Sequence, residues 1–67
     1  MKLYRFITGV DDSEFCHRVT QALNKGWELS GSPTLSFDAA RGATICGQAV
    51  TKEVEGEYSR DMKLGDY

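Results

Sequence analysis

The sequence predicts an α+β fold: a small β-α-β-β unit with one helix packed on one face of a three-stranded, mainly antiparallel sheet. Three observations predict it. Helical periodicity occurs once, between residues 11 and 25; strand-like segments lie on either side of it; and a short glycine-containing turn separates the last two strands. We expect one domain over residues 1–54, followed by a polar C-terminal tail or arm over residues 55–67.

The first strand is expected over residues 2–8, which are rich in aromatic and branched side chains. The helix is expected over residues 11–25, where Asp11 can cap the start with Glu14 as its capping-box partner. Gly26 supplies the left-handed residue that ends the helix. The apolar residues of the helix have the spacing of one buried stripe: Phe15, Val19, Ala22 and Leu23.

The last two strands are expected to form a hairpin around a loop at residues 38–42. The second strand starts at Trp27, which we expect to be a core anchor, and it contains Pro33. Proline lacks an amide hydrogen, so this strand is expected to lie at an edge of the sheet or to carry a bulge at Pro33. The third strand, residues 43–54, has no proline and is expected in the centre.

Charge predicts the register of this hairpin. If Glu28 faces Lys52 and Phe37 faces Ala43, opposite charges lie directly across the ladder. In that register one face has no charge between the Glu28–Lys52 pair and the hairpin loop. This predicted uncharged face consists of Ser30, Ser32, Thr34, Ser36, Thr44, Cys46, Gln48 and Val50.

The predicted uncharged face leads to the first functional hypothesis. A sheet face in water normally carries lysines and glutamates, which discourage association. We therefore expect a non-catalytic, homo-oligomeric protein-interaction module, a dimer or a dimer of dimers, that buries this face. The residues expected at the interface are Tyr4, Phe6, Thr34, Cys46 and Gln48.

The alternative hypothesis is a binder of a small anionic ligand, such as a nucleotide, at a subunit boundary. Hydroxyl and amide groups can hydrogen-bond to a polar ligand, and an arginine can pair with an anion. Arg5 could also come within reach of such a site. The residues expected to bind the ligand are Ser30, Ser32, Thr34, Gln48 and Arg41.

An enzyme is the least expected class. Cys16 and His17 are adjacent, but neighbouring helical side chains point about 100° apart and do not form a nucleophile–base pair. We expect His17 to face solvent or an interface. The cysteines and the histidine lack paired metal-ligand spacing, and the glycines are too dispersed for a phosphate loop. We therefore expect no catalytic residue, no metal and no cofactor.

Composition limits the partners and the compartment. A net charge of −2 provides no basic surface for nucleic acid. No apolar run is long enough to span a bilayer, so no membrane partner is expected. No export leader is evident, so we expect the protein in the cytoplasm. There Cys16 and Cys46 are expected to be free thiols. A lone chain of 67 residues is near the margin of stability, which also favours a partner subunit.

The tail, residues 55–67, has two interpretations. Charges interrupt its apolar positions, which favours a solvated and partly disordered terminus. The alternative is an arm that anchors on a neighbouring subunit through Tyr58, Met62 and Leu64.

The order of these segments resembles a bacterial and viral family, domain of unknown function 1737. The resemblance rests on residues 4–8, residues 15–29, the turn Gly31-Ser32-Pro33 and residues 46–52. It implies a strand–helix–strand–strand unit that is often a whole protein, and it carries no catalytic residues onto this chain. Similar small units in some phage proteins that sequester nucleotide signals favour the anionic-ligand alternative.

Overall fold

A computed structural model describes all 67 residues and confirms the α+β fold and the β-α-β-β order. Its elements are β1 (Lys2–Val10), α1 (Ser13–Asn24), β2 (Glu28–Asp38), β3 (Ala43–Glu53) and a 3-10 helix (Leu64–Asp66). The sheet order is β1-β3-β2, and both pairs of strands are antiparallel. The predictions of a central third strand and of an edge position for the strand that contains Pro33 are therefore confirmed.

The start of α1 differs from the prediction by one residue. Asp12, not Asp11, caps the helix: its carboxylate accepts hydrogen bonds from the backbone N–H of Glu14 at 3.0 Å and of Phe15 at 3.3 Å. The Asp11 N–H donates instead to the carbonyl of Thr44 at 2.9 Å, which ties this residue to β3. The predicted Asp11–Glu14 capping box is therefore wrong. The 12-residue α1 is too short to cross a membrane.

The helix ends as predicted at Gly26, whose φ is +97°. Its N–H donates to the carbonyl of Leu23 at 3.1 Å, and the next N–H, of Trp27, donates to the carbonyl of Ala22 at 3.1 Å. A residue with positive φ just beyond the last turn is the usual end of a helix, and glycine adopts it without a Cβ penalty. This turn leads the chain directly into β2.

The core lies between α1 and the β1–β3 half of the sheet. Its buried cluster consists of Leu3, Ile7, Ala22, Trp27 and Val50. Trp27 is 2% exposed, as expected of a core anchor. Of the other predicted stripe residues, Phe15 and Val19 pack against the cluster, whereas Leu23 is 40% exposed. The prediction for Leu23 fails because α1 lies mainly on β1 and covers little of β2.

The hairpin register differs from the prediction. Leu35 lies opposite Cys46 and Glu28 lies opposite Thr51, so the predicted Glu28–Lys52 pair is wrong. A bulge between Ser30 and Thr34 interrupts the pairing. Because side chains alternate along a strand, a one-residue change of register moves them to the opposite face.

The predicted uncharged face is consequently divided between two faces. We call the covered surface the helix-side face and the other the open face. The β3 residues predicted for the uncharged face lie on the helix-side face: Thr44, Cys46, Gln48 and Val50. Leu29, Leu35 and Phe37 of β2 lie on the same face. Of the β2 residues, Ser30, Thr34 and Ser36 lie on the open face, opposite Ala49, Gly47 and Ile45.

Residues 55–67 fold back onto the domain. Met62 and Leu64 pack against the chain's own core, and the 3-10 helix contacts β1. The Lys52 Nζ donates to the main-chain oxygen of Tyr67 at 2.8 Å. Tyr58 is 67% exposed. Two of the three apolar residues proposed for an intersubunit arm are thus already in contact with their own subunit.

Candidate functional site

The open face carries no charged side chain between its two ends. Its β1 residues include Tyr4, 57% exposed, and Phe6, 49% exposed. Its charged residues lie only at the ends: Lys2, Glu28 and Glu53 at one end and Asp38 at the other. The sheet therefore has a face without central charges, as predicted. Its β3 residues differ from the predicted Thr44, Cys46, Gln48 and Val50: they are Ala43, Ile45, Gly47 and Ala49.

The centre of the open face is closely packed across all three strands. A Cβ at Gly47 would overlap the Phe6 ring and would lie 3.1 Å from the Thr34 hydroxyl oxygen. That hydroxyl donates to the Gly47 carbonyl at 3.5 Å. An aromatic ring of β1 thus lies over a glycine of β3, beside a threonine of β2.

The second exposed surface belongs to β2. Because α1 lies mainly over β1, β2 is uncovered on the helix-side face as well. There Leu29, Leu35 and Phe37 are 57%, 66% and 65% exposed. β2 pairs only with β3, so its outer edge is unpaired. Several large apolar side chains exposed on one strand are typical of an interaction surface.

Gln48 has a structural position that the sequence prediction missed. It is buried, and its Nε2 donates to the carbonyls of Ser30 at 3.5 Å, Gly31 at 3.3 Å and Ala49 at 2.9 Å. Gly31 has a φ of +73° within the bulge, where the β2–β3 pairing is interrupted. The Gln48 amide therefore supplies hydrogen bonds to backbone carbonyls at a break in the sheet.

The residues predicted for an anionic-ligand site are not brought together. Ser30, Ser32 and Thr34 are exposed on β2, but Gln48 is buried on the opposite face. Arg41 is at the hairpin turn, where its Nε lies 3.4 Å from the Asp38 carboxylate. Within one chain, these side chains therefore do not form a single pocket.

The two cysteines are free thiols in different environments. Cys16 is exposed on α1 next to His17, which is also exposed. Cys46 is buried, and its Sγ donates to the Gly9 carbonyl at 3.4 Å. Burial raises the pKa of the Cys46 thiol, and the nearby Asp11 carboxylate raises it further. A thiol that stays protonated at neutral pH is a poor nucleophile and metal ligand.

The histidine, cysteine and acidic side chains do not form a cluster of three or more that could hold a metal ion. One polar cavity, of about 270 Å³, is lined by Lys2, Gly26, Glu28, Thr51, Lys52 and Glu53. Its positive and negative side chains balance in number, and Lys52 already donates to Tyr67. The cavity therefore has no clear preference for an anion.

Arg5 lies over the indole ring of Trp27, a contact that the sequence did not predict. Its guanidinium carbon lies 5.4 Å from the centroid of the Trp27 ring, in cation–π range. The residue is partly buried and forms no ion pair. The sequence pattern that could have indicated this contact is the alternation along β1. It places Arg5 on the same face as Leu3 and Ile7, which are core residues.

Comparison with known proteins gives one match. The sequence model of a family described as "Domain of unknown function (DUF1737)" matches residues 1–53. The matched region contains β1, α1, β2 and β3 and stops at the last residue of β3. No curated protein and no solved structure matches the chain.

Proposed function

This chain belongs to the DUF1737 family, whose function is unknown, and we propose that it is a non-catalytic, homo-oligomeric protein-interaction module. In this proposal the open face packs against the open face of a second copy, as a two-fold dimer or within a dimer of dimers. Self-complementary contact of one patch is the commonest symmetric arrangement. We also propose that the protein is located in the cytoplasm, where free cysteines are kept reduced.

The observation that carries the proposal is the surface area of the single chain. It exposes 4932 Å² and buries only 8 of its 67 residues. A compact monomer of its mass, 7.5 kDa, exposes roughly 4,200 Å². The excess of roughly 700 Å² is close to the ~800 Å² that each partner buries in a standard interface. A second copy would therefore cover about the area by which this chain departs from a compact monomer.

The open face supports this partner by its chemistry. Tyr4 and Phe6 are large aromatic side chains, the type enriched at interfaces, and both are about half exposed. Thr34 adds a small side chain that permits close approach. Cys46 and Gln48, which the sequence placed in the same interface, are excluded from it because they are buried on the helix-side face.

Light scattering after size exclusion tests the proposal. The wild type is expected to elute as a dimer or larger species at roughly millimolar chain concentration. Thr34→Lys places like charges across the symmetry axis without a partner and is expected to lower the mass of the assembly, because the open-face contact is lost. Gln21→Lys, at an exposed position of α1, is the matched control and should keep the wild-type mass. A monomeric wild type, or a Thr34→Lys variant with unchanged mass, would contradict the proposal.

The alternative function is the binding of a small anionic ligand, such as a nucleotide, at a subunit boundary. Arg5 is the observation that favours it, because a partly buried guanidinium without an acidic partner is free to pair with an anion. A thermal-shift screen with nucleotides and inorganic phosphate tests this function, since a ligand of the native state raises the melting temperature. The shift should be lost in Arg5→Gln. A flat screen would exclude these ligands.

A further inference from the structure

We infer that β2 of one copy pairs edge to edge with β2 of a second copy through the segment Thr34–Asp38. This pairing would join two three-stranded sheets into one six-stranded sheet. The inference rests on the proposed function only in taking a second copy as the partner. It uses the edge of the sheet, whereas the proposed function uses the open face.

The outer edge of β2 is the available one. No strand pairs with it, and an unpaired edge presents backbone N–H and C=O groups to another strand. β1 is the other edge strand, but the 3-10 helix contacts it and the Thr8 carbonyl accepts a hydrogen bond from Arg18 Nη1 at 2.7 Å. The outer edge of β2 is not covered in this way, so a second copy can pair with it.

The bulge restricts the pairing to one segment. Pro33 has no N–H to donate, and Gly31 has positive φ, so the edge is irregular before Thr34. From Thr34 to Asp38 the strand pairs regularly with β3. A two-fold axis centred on Ser36 uses this whole segment.

That axis brings apolar side chains together. It places Leu35 opposite the second copy's Phe37, and Phe37 opposite the second copy's Leu35, all on the helix-side face. These side chains are 66% and 65% exposed in the single chain. Aromatic and aliphatic side chains directly across a ladder stabilise strand pairing. The pairing would therefore cover the two most exposed of the large apolar residues on this face.

Charge does not oppose the contact. Asp38 is the one charged residue of the segment, and its carboxylate accepts hydrogen bonds from the N–H of Ala40 at 3.0 Å and of Arg41 at 3.3 Å. The Arg41 guanidinium also lies 3.4 Å from it. The negative charge is thus compensated within its own turn. The segment also lacks the lysines by which edge strands usually discourage pairing.

Cysteine cross-linking tests the pairing in a Cys16→Ser background, which removes the exposed native thiol. Ser36→Cys would lie on the two-fold axis, where the two Cβ atoms are close enough for a disulfide. Ser30→Cys is the matched control, because it lies on the same strand and face but beyond the bulge. On mild oxidation we expect the covalent dimer of Ser36→Cys to form roughly tenfold faster than that of Ser30→Cys. Equal rates, or no dimer from Ser36→Cys, would overturn the inference.

The mass measured by light scattering, taken together with the cross-linking rates, distinguishes the edge pairing from the open-face contact. A monomeric wild type by light scattering overturns both. An oligomeric wild type with no preferential cross-link at Ser36 overturns only the edge pairing. A preferential Ser36→Cys dimer together with an unchanged mass of Thr34→Lys overturns only the open-face contact. Blue-shifted fluorescence of the buried Trp27 verifies in each variant that the chain is folded.

Discussion

The Phe6 ring occupies the space above Gly47 that a side chain at this position would fill. Glycine in a central strand weakens it, and an aromatic side chain on the neighbouring strand can compensate by covering the exposed backbone. Here the ring remains 49% exposed on its outer side. The same residue therefore supports the centre of the sheet and forms part of the surface proposed to meet a second copy.

Gly47→Ala tests this relationship. The added methyl would overlap the Phe6 ring, and displacement of the ring is expected to destabilise the fold by about 1–3 kcal/mol. In a Phe6→Leu background the same change should cost less, because the ring is gone. Urea denaturation of the four proteins in this cycle measures the coupling. Equal costs in both backgrounds would show that the ring does not restrict position 47.

Gln48→Glu tests the role of the buried amide. The introduced carboxylate would face the carbonyls of Ser30, Gly31 and Ala49 and lose all three hydrogen bonds. At neutral pH, the free energy of unfolding of this variant should be about 2–4 kcal/mol lower than that of the wild type. Gln21→Glu, on the exposed face of α1, should change stability by less than roughly 0.5 kcal/mol.

The loss in Gln48→Glu should also depend on pH. Burial among carbonyls raises the pKa of the introduced carboxyl in the folded state above its unfolded value. The difference from wild type should therefore be largest above the folded-state pKa and should decrease, as the pH falls below the unfolded value, to the smaller cost of the hydrogen bonds that a protonated carboxyl cannot replace. Urea denaturation of both proteins from pH 7 to pH 4 measures this. A difference that is independent of pH would contradict the assignment.

The two thiols should react at different rates. Because burial raises the pKa of Cys46 above its ordinary value, its thiolate fraction at a given pH is small, and access to it is blocked. Cys16 is exposed and should be alkylated first. With iodoacetamide at pH 8 we expect one fast modification in the folded protein and two after addition of denaturant, counted by mass spectrometry. Two fast modifications in the native protein would mean that Cys46 is accessible.

The buried face of α1 gives a further comparison. Val19 packs against the core cluster, so Val19→Ala should cost about 1–2 kcal/mol through lost burial and a small cavity. His17 is exposed, and His17→Ala should change stability by less than roughly 0.5 kcal/mol. Thermal unfolding monitored by circular dichroism ranks the two variants. The reverse ranking would invalidate the assignment of the helix face.

Local signals in the sequence were sufficient for the fold but not for the register. Gly26 ended the helix and Pro33 placed its strand at an edge, because each effect depends on the geometry of one residue. Near the turn, the register depends on the loop length: Asp38 pairs with Ala43, so the loop between the strands is one residue shorter than the expected 38–42. The bulge between Ser30 and Thr34 shifts the far part of the strand in the other direction, and hydropathy does not reveal how many residues a loop or a bulge takes up. The opposite charges of Glu28 and Lys52 indicated the wrong pairing, since a surface ion pair contributes too little to decide it.

The change of register next to the turn explains the outcome at the candidate site. Thr34 stayed on the open face, while Gln48 and Cys46 moved to the helix-side face. The apolar character of Tyr4 and Phe6 predicts a contact surface, and both side chains are exposed in the single chain. The uncovered side of β2 was not foreseen, because the sequence does not reveal over which strands a short helix will lie.

The last prediction concerns the tail, which lies outside the matched family region. Leu64 packs against the core and belongs to the 3-10 helix that contacts β1, whereas Tyr58 is 67% exposed. Leu64→Ala should therefore destabilise the domain by about 1–2 kcal/mol, and Tyr58→Ala should change stability by less than roughly 0.5 kcal/mol. Denaturant unfolding followed by Trp27 fluorescence measures both, because that side chain is buried in the same core. If Leu64→Ala were as stable as the wild type, the tail would contribute nothing to the fold, and Leu64 would be available to another subunit.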